Sequence, residues 1–168
     1  MNHLIWITGL PNAGKTTIAN KLTVECGLMF NQIPISLDGD ALRRILNMDH
    51  ITTDLERVKL GLTYVKLATD LVDQGHIVIV SAVAMYKEIF LTLAENIVPT
   101  STFYIEAKRE IRLERDNKKG IYKDRDLSIE NLVDSLPENI CRVPNNSDDD
   151  LDIAIGIILE DVLKKGFK

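Results

Sequence analysis

Cysteine is scarce in this chain. Only Cys26 and Cys141 occur in 168 residues, and their separation fits neither a disulfide framework nor a metal-ligand pattern. Two reduced thiols are therefore expected. The three histidines, His3, His50 and His76, are scattered, and each reads as a turn or surface residue rather than a ligand. No run approaches the roughly 20 apolar residues of a membrane-spanning helix, so no membrane partner is expected. The opening "LIWI" is too short for the apolar region of a secretory signal, and the expectation is a cytoplasmic protein. Positive charge is also in deficit, with 20 Lys and Arg against 25 Asp and Glu and a net charge of −5. Gripping long nucleic acid needs the opposite balance. A small anionic ligand in a local basic pocket is compatible with an acidic body. Repeats and inter-domain linkers are absent, and residues 1–168 read as one domain.

What is present is an alternation. Residues 4–8 form a short apolar run that stops at Gly9, as a buried strand does. Residues 15–26 then carry Ile18, Ala19 and Leu22 at helical spacing. A second strand over 33–37 ends in "DGD", and a short helix begins at 42–46. Thr52 or Thr53 can cap the next helix. Its apolar residues Leu55, Val58, Leu62, Val65 and Val72 make it long and amphipathic, ending at Gly75. "HIVIVSA" is a β-branched run suited to a parallel strand buried on both faces. Residues 88–95 read as helix, "TFYIEA" as a fourth strand, and 109–115 and 151–164 as helices. Residues 117–126 and 137–150 read as loops. The predicted fold is α/β, a parallel sheet with helices on both faces.

At the first strand end stands Gly9-Leu10-Pro11-Asn12-Ala13-Gly14-Lys15-Thr16, followed by Thr17. It matches G-x-x-x-x-G-K-[ST] in full, between a strand and a helix. Gly9 and Gly14 permit backbone angles and close approach that a Cβ would block. The loop amides and the helix N-terminus converge on anionic oxygens. Lys15 is placed to reach the β- and γ-phosphates, and Thr16 to hold Mg²⁺. ATP with Mg²⁺ is the expected cofactor pair. A GTPase would carry Asn-Lys-x-Asp after a strand, and the nearest stretch, Asn117-Lys118-Lys119-Gly120, lacks the Asp.

A small-molecule kinase needs an acceptor pocket, a carboxylate at the attacking hydroxyl and a basic lid. Asp38 and Asp40 sit at a strand end, where carboxylates face the ligand crevice of a parallel sheet. One can orient or deprotonate a hydroxyl, and the other can bind Mg²⁺. The plainer reading of "DGD" is a tight turn with Asp40 as helix cap. Arg43 can clamp an anionic acceptor. Arg57 reads either as an acceptor contact or as an i, i+3 partner of Asp54. Ser81 ends the third strand and can bond the acceptor. Tyr86, just beyond it, reads equally as packing. Residues 112–126 carry Arg112, Arg115, Lys118, Lys119, Lys123 and Arg125 around Gly120. Such a loop can close on the transferring phosphate. Arg115 is the best phosphate contact, and most of the other charges there read as solvent-facing. "NNSDDDLD" reads as a solvated loop whose acids favour the N-terminus of the last helix.

These residues resemble the adenylylsulfate kinases, which phosphorylate the ribose 3′-hydroxyl of adenosine 5′-phosphosulfate with Mg-ATP. "WITGLPNAGKTT" is similar to the family's opening strand and loop. "SLDGDALR" is similar to its Asp-Gly-Asp-x-x-Arg, and "RDNKKGIYK" resembles its Arg-Asp-x-Lys-Gly-Leu-Tyr lid with one extra residue. The resemblance implies a P-loop kinase and a possible homodimer. It implies that Asp38 and Asp40 serve the hydroxyl and the metal, and that Arg43, Arg57, Ser81, Lys119 and Tyr122 face the acceptor.

The acceptor half departs from the pattern. The family's Asp-Arg-x-x-Asn-Ile-Arg-Arg is "ERVKLGLT" here, which keeps only Arg57 of the distinctive residues. "SAVAMYKE" lacks the Ser-Pro-Tyr-Arg wording, and "LSIENLVDSLPENICRVP" resembles the family poorly. The first reading is a kinase acting on adenosine 5′-phosphosulfate. The alternative is a relative acting on a cytidine diphosphate with a phosphoramidate group, in bacterial surface-polysaccharide metabolism. A third is a nucleotide-binding module without catalysis, against which the intact loop and carboxylates argue.

Overall fold

The computed structural model describes residues 2–51, 53–116 and 127–166. Five parallel strands form the sheet: β1 (His3–Thr8), β2 (Ile35–Asp38), β3 (Ile77–Ser81), β4 (Thr100–Glu106) and β5 (Cys141–Pro144), in spatial order β2-β3-β1-β4-β5. The helices are α1 (Lys15–Phe30), α2 (Gly39–Ile45), α3 (Asp54–Asp73), α4 (Lys87–Ala94), α5 (Arg109–Asp116) and α6 (Asp148–Gly166), with a 3-10 segment at Leu127–Ser135.

The period-2 alternation of a strand splits the apolar residues of β1 between two cores. Leu4 and Trp6 join Val78, Val80 and Tyr104 against Tyr64, Val65 and Ala68 of α3 and Ile89 of α4. Ile5 and Ile7 join Ile77, Ile79, Phe103 and Ile105 against Ile18 and Leu22 of α1 and Ile158 and Val162 of α6. Every residue of β1 is buried, which is why Leu4, Ile5, Trp6 and Ile7 form a continuous apolar run.

Three expectations change. Residues 137–150 are not all loop, because Cys141–Pro144 pairs with β4 as an edge strand. The segment is short and contains only one fully buried residue, Val143, so it carries little hydrophobic pattern. The second strand runs to Asp38, and α2 begins at Gly39. His3 is neither turn nor surface. It lies in β1, fully buried, with Nε2 2.8 Å from Ser101 Oγ. Cys26 and Cys141 are both free thiols, and Thr53 caps α3 through a capping box with Glu56.

Candidate active site

A cleft of about 450 Å³ opens at the carboxyl ends of the strands, where open parallel sheets hold their ligands. Its floor is the loop between β1 and α1. Gly9 approaches β4 so closely that a Cβ there would lie 2.7 Å from the Ile105 carbonyl oxygen. Gly14 has φ +94°, and a Cβ there would overlap the Asn145 side chain. Asn12 takes φ +61°, a conformation that Asn tolerates better than most residues. Its Nδ2 donates to Asp116 Oδ1 at 2.7 Å. Lys15 crosses the loop, with Nζ donating to the Leu10 carbonyl at 2.9 Å. Pro11, Thr16 and Thr17 line the cleft beside it.

Asp38 closes the next wall. Its Oδ1 accepts the backbone amides of Asp40 and Ala41 at 3.1 and 3.0 Å. The cap of α2 is thus Asp38, not Asp40, because the helix begins directly at Gly39. Its Oδ2 accepts the Thr16 hydroxyl at 3.0 Å and the Ser81 hydroxyl at 3.3 Å. The start of α1 and the ends of β2 and β3 therefore meet on one carboxylate. Asp40 is exposed on the cleft side, and Arg43 follows on α2. Tyr64 donates from its hydroxyl to the Gly39 carbonyl at 3.0 Å, and burial pushes its phenol up to about 12.

Arg57 lines the cleft. The i, i+3 pairing with Asp54, one of its two readings in sequence, does not form. Asp54 Oδ1 instead accepts the Tyr86 hydroxyl at 3.1 Å. Burial and that hydrogen bond push the Tyr86 phenol up to about 12, so it remains a donor. Leu60, Gly61, Ile129 and Leu132 supply the apolar wall.

Arg115 stands at the loop, with Nη1 donating to the Asn145 carbonyl at 3.1 Å and to the Asn12 and Ala13 carbonyls at 3.4 Å. Arg112 is not a solvent-facing charge. It is buried, and its guanidinium makes two bonds to the Glu130 carboxylate at 2.8 and 2.9 Å. Lys118, Lys119, Gly120, Tyr122, Lys123 and Arg125 lie outside the described residues.

Asn145 was not singled out by sequence reasoning. It is buried at the end of β5, and its Nδ2 donates to the Ala13 carbonyl at 2.7 Å. The strand it follows is the one missed in sequence, so nothing marked it apart from the polar run around it. Two of the acids after it have partners: Asp150 Oδ2 accepts the nearby Asn146 amide at 2.7 Å, and Asp152 pairs with Lys21 of α1.

The sequence model for adenylylsulphate kinase matches residues 1–135, from the first strand through the 3-10 segment. The chain belongs to the adenylylsulphate kinase family. It is an ATP-dependent phosphotransferase. Among relatives of this family, the cytidine diphosphoramidate kinase of Campylobacter jejuni is 34% identical over 91% of this chain and 94% of its own. A probable adenylyl-sulfate kinase of Archaeoglobus fulgidus is 35% identical over 73% of this chain and 77% of its own. The solved structure of APE1195 is 28% identical and covers 99% of this chain and 97% of that one, with TM-score 0.77. The adenylylsulphate kinase CysC of Mycobacterium tuberculosis, solved with AMPPNP and APS, shares the fold at 21% identity and TM-score 0.77, covering 96% of this chain and 98% of its own.

Proposed function

We propose that this chain transfers the γ-phosphoryl group of ATP to a ribose hydroxyl of cytidine diphosphoramidate. The observation that carries this acceptor is the composition of one wall. Where the family has Asn-Ile-Arg-Arg on its long helix, this chain has Leu60-Gly61-Leu62-Thr63. Leu60 and Gly61 line the cleft. An aliphatic group in place of a carboxamide removes a donor and an acceptor from the substrate's surroundings. A site built to bond a polar group discriminates strongly against losing that bond, so this wall suits another nucleotide. The likeness to the Campylobacter protein extends along 91% of this chain, whereas the likeness to the Archaeoglobus protein covers 73%. Asp38, Asp40, Arg43, Arg57 and Ser81 still match the adenylylsulfate pattern, which keeps adenosine 5′-phosphosulfate as the second reading.

Lys15 and the backbone N–H groups of the loop, a donor that Pro11 lacks, hold the donor phosphates. Thr16 and Asp38 present two hard oxygens 3.0 Å apart, a donor set that fits Mg²⁺ alongside phosphate oxygens. When bound, the ion supplies charge neutralisation at the phosphates. Both oxygens of Asp38 are committed, Oδ1 to two amides and Oδ2 to two hydroxyls. Asp40, on the exposed side of the same turn, is the carboxylate that orients the attacking hydroxyl. Arg43 and Arg57 bind the acceptor's anionic groups. Arg115 sits where the transferring group gathers negative charge.

The test is ADP release from Mg-ATP with each nucleotide offered alone, and phosphorus NMR of the product. Turnover with cytidine diphosphoramidate and none with adenosine 5′-phosphosulfate is expected. The reverse result would restore the second reading, and silence with both would overturn the proposal.

A further inference from the structure

The phosphate loop is braced from a part of the chain that its motif does not include. Asn145 follows β5, and its backbone amide donates to the Glu106 carbonyl at 2.9 Å. That bond ties it to the end of β4. Its carbonyl accepts Arg115 Nη1 at 3.1 Å, and its side-chain amide donates to the Ala13 carbonyl at 2.7 Å. At 5% exposure it has little freedom to swing away.

The peptide joining Ala13 to Gly14 is trans, as are the other described peptides. In a trans peptide the carbonyl and the following N–H point in opposite directions. Holding the Ala13 carbonyl toward Asn145 therefore dictates where the Gly14 amide points. Gly14 lines the cleft. A Cβ on Gly14 would overlap Asn145 Nδ2, so the close approach of the asparagine requires a glycine there.

We propose that Asn145 is a positioning residue for phosphoryl transfer. By fixing the Ala13 carbonyl it aims the Gly14 amide at a donor phosphate. This rests on the loop's geometry and is independent of which nucleotide accepts the phosphoryl group. Asn145 acts through the loop and not on the nucleobase, so its loss weakens any ligand that fills the phosphate cradle.

The experiment compares the unmodified protein with Asn145→Ala and Asn145→Asp. The Asp variant keeps the shape, removes the donor and sets a carboxylate against a carbonyl. Calorimetry with ADP is paired with inorganic tripolyphosphate, a probe that has phosphates and no base. Affinity for both falls about tenfold, the effect of losing one well-made hydrogen bond, while circular dichroism stays unchanged. A fall for ADP alone would mean that Asn145 touches the base, and no fall for either would remove the brace; both outcomes overturn the proposal. A measurement without a variant guards against misfolding. In the unmodified protein, the Gly14 amide proton resonance moves strongly when tripolyphosphate is added. A stationary resonance at saturation would also overturn it.

Discussion

The Thr16 hydroxyl donates to Asp38 Oδ2 at 3.0 Å across 22 residues of sequence. That bond joins the first residues of α1 to the end of β2. It brings a residue of the phosphate loop and a strand-end carboxylate to one place. Ser81 adds the end of β3 to the same oxygen. The parallel register aligns these strand ends: Asp38 pairs with Ser81, and Ile7 with Ser81, across β3.

The two carboxylates should separate kinetically. Asp40→Asn lowers kcat by about 10²–10⁴-fold, the usual contribution of a positioned base, with the KM for ATP unchanged. Asp38→Asn lowers kcat and also raises the KM for ATP, because the partner of Thr16 is altered. Its thermal midpoint moves little, since Asn caps helices about as well as Asp. Identical kinetic profiles for the two variants would remove this division of labour.

Leu60 is the place to test acceptor choice. It is 3% exposed and faces the cleft. Leu60→Asn restores the family's carboxamide, and we expect it to shift the ratio of kcat/KM toward adenosine 5′-phosphosulfate by about tenfold. The ratio for the two nucleotides, measured in competition, is the readout. A ratio that does not move would show that Leu60 has no part in discrimination.

Arg112 and Glu130 hold the 3-10 segment against α5. The Arg112 side chain is 4% exposed and that of Glu130 is 27% exposed. Arg112→Ala leaves a half-covered carboxylate without its bidentate partner. The expected loss is about 2–3 kcal/mol in urea unfolding, at the lower edge of a broken buried pair because Glu130 retains some water. Arg112→Lys recovers only part, for want of the planar fork. Full stability in the alanine variant would make the pair incidental.

His3 predicts a pH dependence. Burial lowers its pKa to about 4, with the Lys165 charge adding to the effect and Asp161 opposing it. In the unfolded chain the imidazole titrates near 6.5. The native state favours the neutral ring, so its contribution is complete above about pH 6.5 and is lost as the pH falls toward 4. The total is on the order of 3 kcal/mol. Urea midpoints between pH 7.5 and 4.5 should show this slope, and His3→Gln should flatten it. An equal slope in both proteins would assign the loss elsewhere.

The local features were open to reading from sequence because each is encoded by neighbours. The glycines of the phosphate loop, the β-branched run of β3 and the capping of α3 depend on contacts within a few residues. Fully buried strands announce themselves by continuous apolar residues. The edge strand β5 did not, since Val143 alone of its four residues is fully buried. Missing it hid Asn145, whose importance comes from Ala13, 132 residues away. Arg112 and His3 were misread for the same reason. A charge or an imidazole looks solvent-facing until a distant partner covers it, Glu130 in one case and Ser101 in the other. Sequence by itself thus determined the nucleotide loop, the alternating architecture and the kind of reaction, all written in short-range patterns. Only the tertiary structure decided which carboxylate is bound by the hydroxyls, which arginine is buried, and what braces the loop. Those depend on side chains brought together by sheet order, which short-range patterns do not encode.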